Sequence, residues 1–135
     1  MIFLDSSLIV AYSNKADVNH NKALQVIEDI DKGMYGSSFI TDYIFDEVVT
    51  VMLVKTKNLG KVSEFGDKLL GSNLLLIVAG DIFNMAWDIY KEQETPIFTY
   101  TDCTSIAICR ANGISNIATF DINFQALKEF KIIAL

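Results

Sequence analysis

Four acids stand out by where they sit: Asp5, Glu47, Asp102 and Asp121. Asp5 closes the apolar run "MIFL" with no polar lead-in, and Asp121 follows "NIATF". A charge at the end of a buried strand costs free energy unless something offsets it. Several carboxylates converging on one crevice repel each other, and the pKa of one held away from water rises. A divalent cation relieves both penalties. Mg²⁺ and Mn²⁺ take hard oxygen ligands in octahedral geometry, and a site of that kind activates water and stabilises charge on a phosphoryl oxygen. Asp5, Glu47, Asp102 and Asp121 are therefore the candidate metal-binding and catalytic set.

Such a set needs a scaffold that brings distant residues to one edge. Three short apolar runs read as buried strands: "IFL" at 2–4, "LLLIV" at 74–78 and the C-terminal "KIIAL". "SSFI" at 37–40 and "NIAT" at 116–119 are weaker strands. Between them lie residues at helical period: Ala23, Leu24, Ile27 and Ile30; Ile44, Val48, Val51 and Met52; Ile82, Ala86, Ile89 and Tyr90. Thr41 or Asp42 caps the second of these helices and Asn58 to Gly60 ends it, while "NGIS" at 112–115 ends the helix carrying both cysteines. Strands alternating with helices argue for an α/β fold around a mostly parallel sheet. Ligands bind such sheets outside the carboxyl ends of the strands. Asp5 and Asp121 fall at that edge. Glu47 and Asp102 belong to the first turns of helices, which face it.

Each acid also has a reading without chemistry. Asp102 fits a helix N-cap and Asp121 a turn residue in "FDIN". Glu47 fits a solvated helix position, with Asp46 its rival for any inward role. Asp5 is the hardest to explain away.

The 135 residues, 51% hydrophobic, fit one domain over 1–135 with one core, and no Pro/Gly/Ser-rich linker interrupts them. No apolar run approaches the roughly 18 residues of a spanning helix, and Asp5 interrupts the stretch a signal peptide would need. A soluble, cytoplasmic protein without membrane attachment is expected. Cys103 and Cys109, six residues apart on one helix, point to roughly opposite faces and read as reduced, buried thiols. His20 reads as a solvated helix residue. The net charge of −6 excludes a general nucleic-acid binder, although carboxylates gathered around cations inflate the acidity of an apoprotein. Lys55, Lys57 and Lys61 form the only local positive cluster. They read either as dipole-complementing residues at a helix C-terminus or, with Arg110, as phosphate contacts beside the acids. Trp87 and Tyr90 are expected to face the core, and no base-stacking platform is assigned.

The ordered stretches "FLDSSLIVAY", "ITDYIFDEVVTVML" and "TYTDCTSIAICRANGISNIATFDINF" resemble the PIN domain family, in particular its small VapC-like toxin ribonucleases, over nearly the whole chain. The resemblance implies a Rossmann-like three-layer α/β/α sandwich. It also implies a Mg²⁺- or Mn²⁺-dependent endoribonuclease that cuts an RNA substrate in line, leaving a 5′-phosphate and a 3′-hydroxyl. A homodimer and a cognate antitoxin come with it. By that likeness Asp5 and Asp102 are the primary metal ligands, and Glu47 and Asp121 complete the site. Ser6, Ser7, Thr104 and Asn123 are candidates for orienting them. Ser7 stands where many relatives carry asparagine, so a hydroxyl replaces an amide. The alternative is a PIN-like binding or scaffold module without activity. A phosphoacceptor domain built on Asp5 is disfavoured, because Ser7 stands where a second Asp is needed and no glycine-rich phosphate loop is present.

Overall fold

Aliphatic runs too short for helices become strands here because the layers on both sides of a parallel sheet cover them. In the computed structural model, which describes residues 1–135, strand β1 (Ile2–Leu4) leads into α1 (Ser6–Ser13) and α2 (His20–Asp31). Then come β2 (Ser38–Thr41), α3 (Asp42–Thr56), α4 (Leu59–Ser72), β3 (Leu74–Leu76) and α5 (Asp81–Lys91). The chain closes with α6 (Tyr100–Asn112), β4 (Asn116–Ala118), a 3-10 turn over Ile122–Ala126 and β5 (Lys131–Ile133).

The strands form one sheet in the order β3-β2-β1-β4-β5, and every pair is parallel. Leaving β1, the chain builds outward through β2 and β3, then returns to lay β4 and β5 on the other side of β1. Right-handed crossovers require the helices before and after that reversal to lie on opposite faces. Accordingly α1 packs on α2 and α3, α3 packs on α4, and α5 packs on α6. The result is the expected three-layer α/β/α sandwich. Its reversal point lies between β1 and β4, where sheets of this type open a crevice. Ile2, Phe3, Ile40, Ile44, Ile106, Ile117 and Phe124, all fully buried, form the core that holds this edge in place.

Several elements differ from the sequence reading. β3 is an edge strand with Leu74 and Leu75 exposed, not a buried one, because only β2 pairs with it. The apolar residues of α1 run consecutively from Leu8 to Ala11 between flanking serines and show no helical stripe, yet the helix buries Leu8, Ile9 and Ala11. α4 lies hidden behind a stop signal that is also a start: Lys57, left-handed at φ 51, ends α3, and Asn58 accepts the Lys61 N–H to begin α4. His20 is half-buried, and its Nδ1 donates to the Ala11 carbonyl at 2.9 Å, joining α2 to α1. Both cysteines are free and buried, and they do face opposite ways. Cys103 packs on Ala86 of α5 and Cys109 lies in the main core. Burial pushes their thiols up to about 11 and about 12.

Gly113 ends α6 at φ 65, a left-handed conformation with open space around the position of a Cβ. Gly113→Ala therefore costs stability through backbone conformation alone, about 1 kcal/mol, read as a lower urea midpoint with an unchanged slope.

Candidate active site

β1 ends at Leu4, paired with Ala118 of β4, so the residues that follow, Asp5 and Thr119, emerge side by side at the crevice. The Asp5 carboxyl is 4% exposed and Thr119 is fully buried. Asp5 Oδ2 takes three donors: the Thr119 hydroxyl at 2.7 Å, the Ser7 hydroxyl at 2.6 Å and the Ser7 N–H at 3.3 Å. Each hydroxyl is itself oriented by the backbone beyond β4. Ser7 Oγ accepts the Phe120 N–H and Thr119 Oγ1 accepts the Asp121 N–H, both at 2.9 Å. No protein donor reaches Asp5 Oδ1, and no buried side-chain polar atom lacks a partner, so this oxygen looks outward.

The same division recurs twice. Thr99 and Asp102 form a capping box at the start of α6: the Thr99 N–H donates to Asp102 Oδ2 at 2.7 Å, and the Asp102 N–H donates to Thr99 Oγ1 at 3.2 Å. Asp102 is thus the third residue of the helix, not the N-cap. Asp121 caps the 3-10 turn, its Oδ1 accepting the Asn123 N–H at 2.9 Å. In all three carboxylates one oxygen is held by the protein and the other carries no protein hydrogen bond.

Electrostatics ties the three together. Burial is the main force raising Asp102, to about 6, and the charges of Asp5 and Asp121 push the same way against the hydrogen bonds from Thr99. Glu47 is not among the charges acting on Asp102 and is exposed on α3. It stands one turn beyond Tyr43, whose ring lies 5.9 Å from that of Tyr100 at the start of α6. At about 100° per residue, Glu47 lies some 60° from buried Ile44 and Asp46 some 160°. Glu47 is therefore nearer the buried side of α3 than Asp46 is. In place of the expected convergence of four acids, the charges of Asp5 and Asp121 reach Asp102 and Glu47 stands apart. As placed, no three acidic, histidine or cysteine side chains are close enough to grip a metal ion. The donor set still suits a hard divalent cation: carboxylates only, each with one oxygen anchored and one to offer.

Of the candidate orienting residues, Ser7 serves Asp5 directly, and Asn123 serves Asp121 through its backbone N–H. Ser6 makes no side-chain hydrogen bond to an acid, and the Thr104 hydroxyl turns back to the Thr101 carbonyl within α6. Thr119 was missed. Its only signal is its place beside Asp5, which appears once β1 and β4 are known to be neighbours. Arg110 binds Glu129 at 2.6 Å and depresses that carboxyl, and it sits eight residues, about 12 Å, along α6 from Asp102. Lys55 is as far from Glu47 along α3. The basic groups thus lie at the wrong ends of these helices to stand beside the acids. Trp87 and Tyr90, expected in the core, are 47% and 42% exposed.

A family model described as "PIN domain" matches residues 2–129. Curated relatives from two strains of Mycobacterium tuberculosis, each named "23S rRNA-specific endonuclease VapC20", are 25% identical over 130 residues, covering 93% of this chain and 93% of theirs. Among solved structures, that of Mycobacterium tuberculosis VapC20, described as a "Sarcin-Ricin loop cleaving toxin", superposes with a TM-score of 0.82 at 23% identity, covering 94% of this chain and 95% of that one. VapBC2 from Rickettsia felis, "bound to a DNA fragment from their promoter", gives 0.73 at 15% identity, with coverage of 98% and 97%. FitAcB from Neisseria gonorrhoeae gives 0.68 at 14%, with coverage of 98% and 96%.

Two outcomes test this geometry. Thr119→Val removes a donor from a buried carboxylate and an acceptor from the Asp121 N–H, and should destabilise by about 2 kcal/mol in urea melts. Asp102 is raised in the fold, so its contribution to stability is fully present below its ordinary pKa near 3.8 and is lost as pH rises through about 6. Asn keeps the capping acceptor without the charge. Asp102→Asn should therefore be more stable than wild type at pH 8 without divalent metal, on the order of 1 kcal/mol after allowing for solvent screening. Parallel melts at pH 4 should show the gain gone.

Proposed function

The chain belongs to the PIN domain family, and we propose that it is a divalent-metal-dependent endoribonuclease in which Asp5, Asp102 and Asp121, with Glu47, form the metal-binding and catalytic site. The observation that carries this reading is the repeated division of labour in the carboxylates, one oxygen pinned by the fold and the other free. The name of the VapC20 relatives supports RNA as the substrate class. We further propose that residues 1–135 act as one domain, that the protein is a homodimer, and that it is the toxin of a toxin–antitoxin pair with a small antitoxin as its partner.

Mg²⁺ or Mn²⁺, when bound, supplies Lewis-acid stabilisation of a phosphoryl oxygen and lowers the pKa of water. The chain's own residues do the rest. Ser7 and Thr119 hold Asp5 Oδ2, so its second oxygen points into the crevice without rotamer freedom to lose. Thr99 does the same for Asp102 and the Asn123 N–H for Asp121. Raised to about 6, Asp102 gives up its proton at neutral pH, and the charge left behind awaits a cation. Below about pH 6 that proton competes with metal, so activity should fall on the acid side.

In a titration with millimolar Mn²⁺, wild type should gain thermal stability as a ligand bound only by the folded state requires, and should cleave single-stranded RNA. Asp5→Asn should lose the thermal shift and at least a hundredfold in cleavage rate. Equal cleavage by the variant and wild type would falsify the assignment of Asp5, and the absence of any Mn²⁺ effect on wild type would favour a binding module.

A further inference from the structure

Asp5 and Asp121 owe their proximity to the pairing of β1 with β4, but Asp102 enters on a helix, and no strand fixes its distance from them. What ties the first turn of α6 to the other acids is the segment before it. Ile97, Phe98 and Thr99 each make a contact of a different kind. The Ile97 carbonyl accepts the Asn123 Nδ2–H at 3.3 Å. The Phe98 ring meets fully buried Phe124 edge-on, with centroids 5.4 Å apart. The Thr99 N–H is the group that pins Asp102. Asn123 and Phe124 belong to the 3-10 turn that Asp121 caps. Residues 97–99 are therefore a strap running from the turn of one acid to the capping box of another.

The strap belongs to no helix or strand that could shape it, and its shape comes from half-buried Gln93. Gln93 Oε1 accepts the N–H groups of Ile97 and Phe98 at 3.1 and 2.8 Å, and its Nε2 donates to the carbonyls of Tyr90 and Phe98 at 3.2 and 3.1 Å. A side-chain amide has two donor hydrogens and two acceptor lone pairs, so Gln93 spends its whole capacity on the backbone and keeps none for a ligand. Ile97 is consequently held from both sides, its N–H by Gln93 and its carbonyl by Asn123. The charges of Asp5 and Asp121 act against that of Asp102, and a repelled carboxylate keeps its place only where the backbone that carries it is tied down.

We propose that Gln93 and the Asn123 side chain are positioning residues, which act through the 97–99 strap to set where the Asp102 carboxylate stands relative to Asp121 and so tune the affinity of the site for a divalent cation. The inference rests on the metal-dependent nuclease reading above and adds to it two amides that work from behind the acids. Groups that orient metal ligands in this way typically account for about 10- to 100-fold in metal affinity or activity. An amide that merely stiffened a loop would contribute to stability and leave metal affinity alone.

The test is Mn²⁺ binding to the full-length protein well below its unfolding temperature, read from the EPR signal of free Mn²⁺, with folding checked by circular dichroism. Asn123→Ala keeps the backbone N–H that Asp121 accepts and removes only the link to Ile97, and it should weaken Mn²⁺ binding about tenfold. Gln93→Met, of similar length but without the amide, should weaken it at least as much. Because both amides act through Ile97, the double variant should lose far less than the product of the single losses. Gly113→Ala, which loosens the opposite end of α6, should bind Mn²⁺ as wild type does. In cleavage of single-stranded RNA at a Mn²⁺ concentration near the wild-type Kd, Asn123→Ala should lower kcat and leave the KM for RNA unchanged. Wild-type Mn²⁺ affinity in Asn123→Ala overturns the strap, whether or not Gln93→Met folds, and leaves the nuclease reading standing if Asp5→Asn still abolishes binding. An equal loss of affinity in Gly113→Ala also overturns it, since instability would then explain both. If wild type binds no Mn²⁺, both readings fall.

Discussion

The burial of one negative charge is the constraint on which the site depends. Asp5 sits almost out of water at the end of β1, and a carboxylate there is tolerable only when charge-assisted hydrogen bonds replace its hydration. The fold supplies three to a single oxygen, two of them from hydroxyls, Ser7 on α1 and Thr119 beyond β4. Because each hydroxyl also accepts a backbone N–H from Phe120 or Asp121, satisfying Asp5 fixes the path of the chain that carries the next acid. Asp121 is held where it is by the residues that hydrogen-bond buried Asp5.

Asp5, Thr119 and Asp121 can be neighbours only if β1 and β4 are. That adjacency follows from the reversal of strand order, which leaves an opening at the carboxyl ends of these two strands. α6 crosses to the same opening with its first turn forward, and its capping box then does two things at once. It satisfies the Thr99 and Asp102 N–H groups, and it turns Asp102 so that one oxygen is spent on the helix and the other is left over. Helix capping and the candidate site share atoms here. The cost appears in Asp102, which burial and two like charges raise to about 6.

Some of this was legible in the chain because its signals are local. "MIFLD" announces a buried strand ended by an acid, Thr41 caps α3 as its residue type suggests, and Gly113 ends α6 in the left-handed conformation that glycine favours. α1 was not legible, since a single unbroken apolar run, Leu8 to Ala11, between serines has no period to detect. α4 was not, because Asn58 reads equally as the end of one helix and the start of another. β3 looked buried because its residues are aliphatic, and composition does not say which strand lies at the edge. Trp87 and Tyr90 likewise share a helical period with core residues but turn out at the rim.

Residue type and order alone thus determined the alternation of strands and helices, the parallel sheet that alternation demands, and the four acids offered as candidates for one edge. These depend on backbone preference and hydrophobic period, which act over a few residues. Only the tertiary structure decided that the charges of Asp5 and Asp121 reach Asp102 while Glu47 stands apart, and that Thr119, 114 residues away from Asp5 along the chain, completes the first acid's environment. It also decided that Lys55 and Arg110 lie at the far ends of their helices and that Trp87 and Tyr90 are exposed. Hydrogen bonds and Coulomb forces act through distances of a few ångströms, and the pairing of β1 with β4 creates those distances.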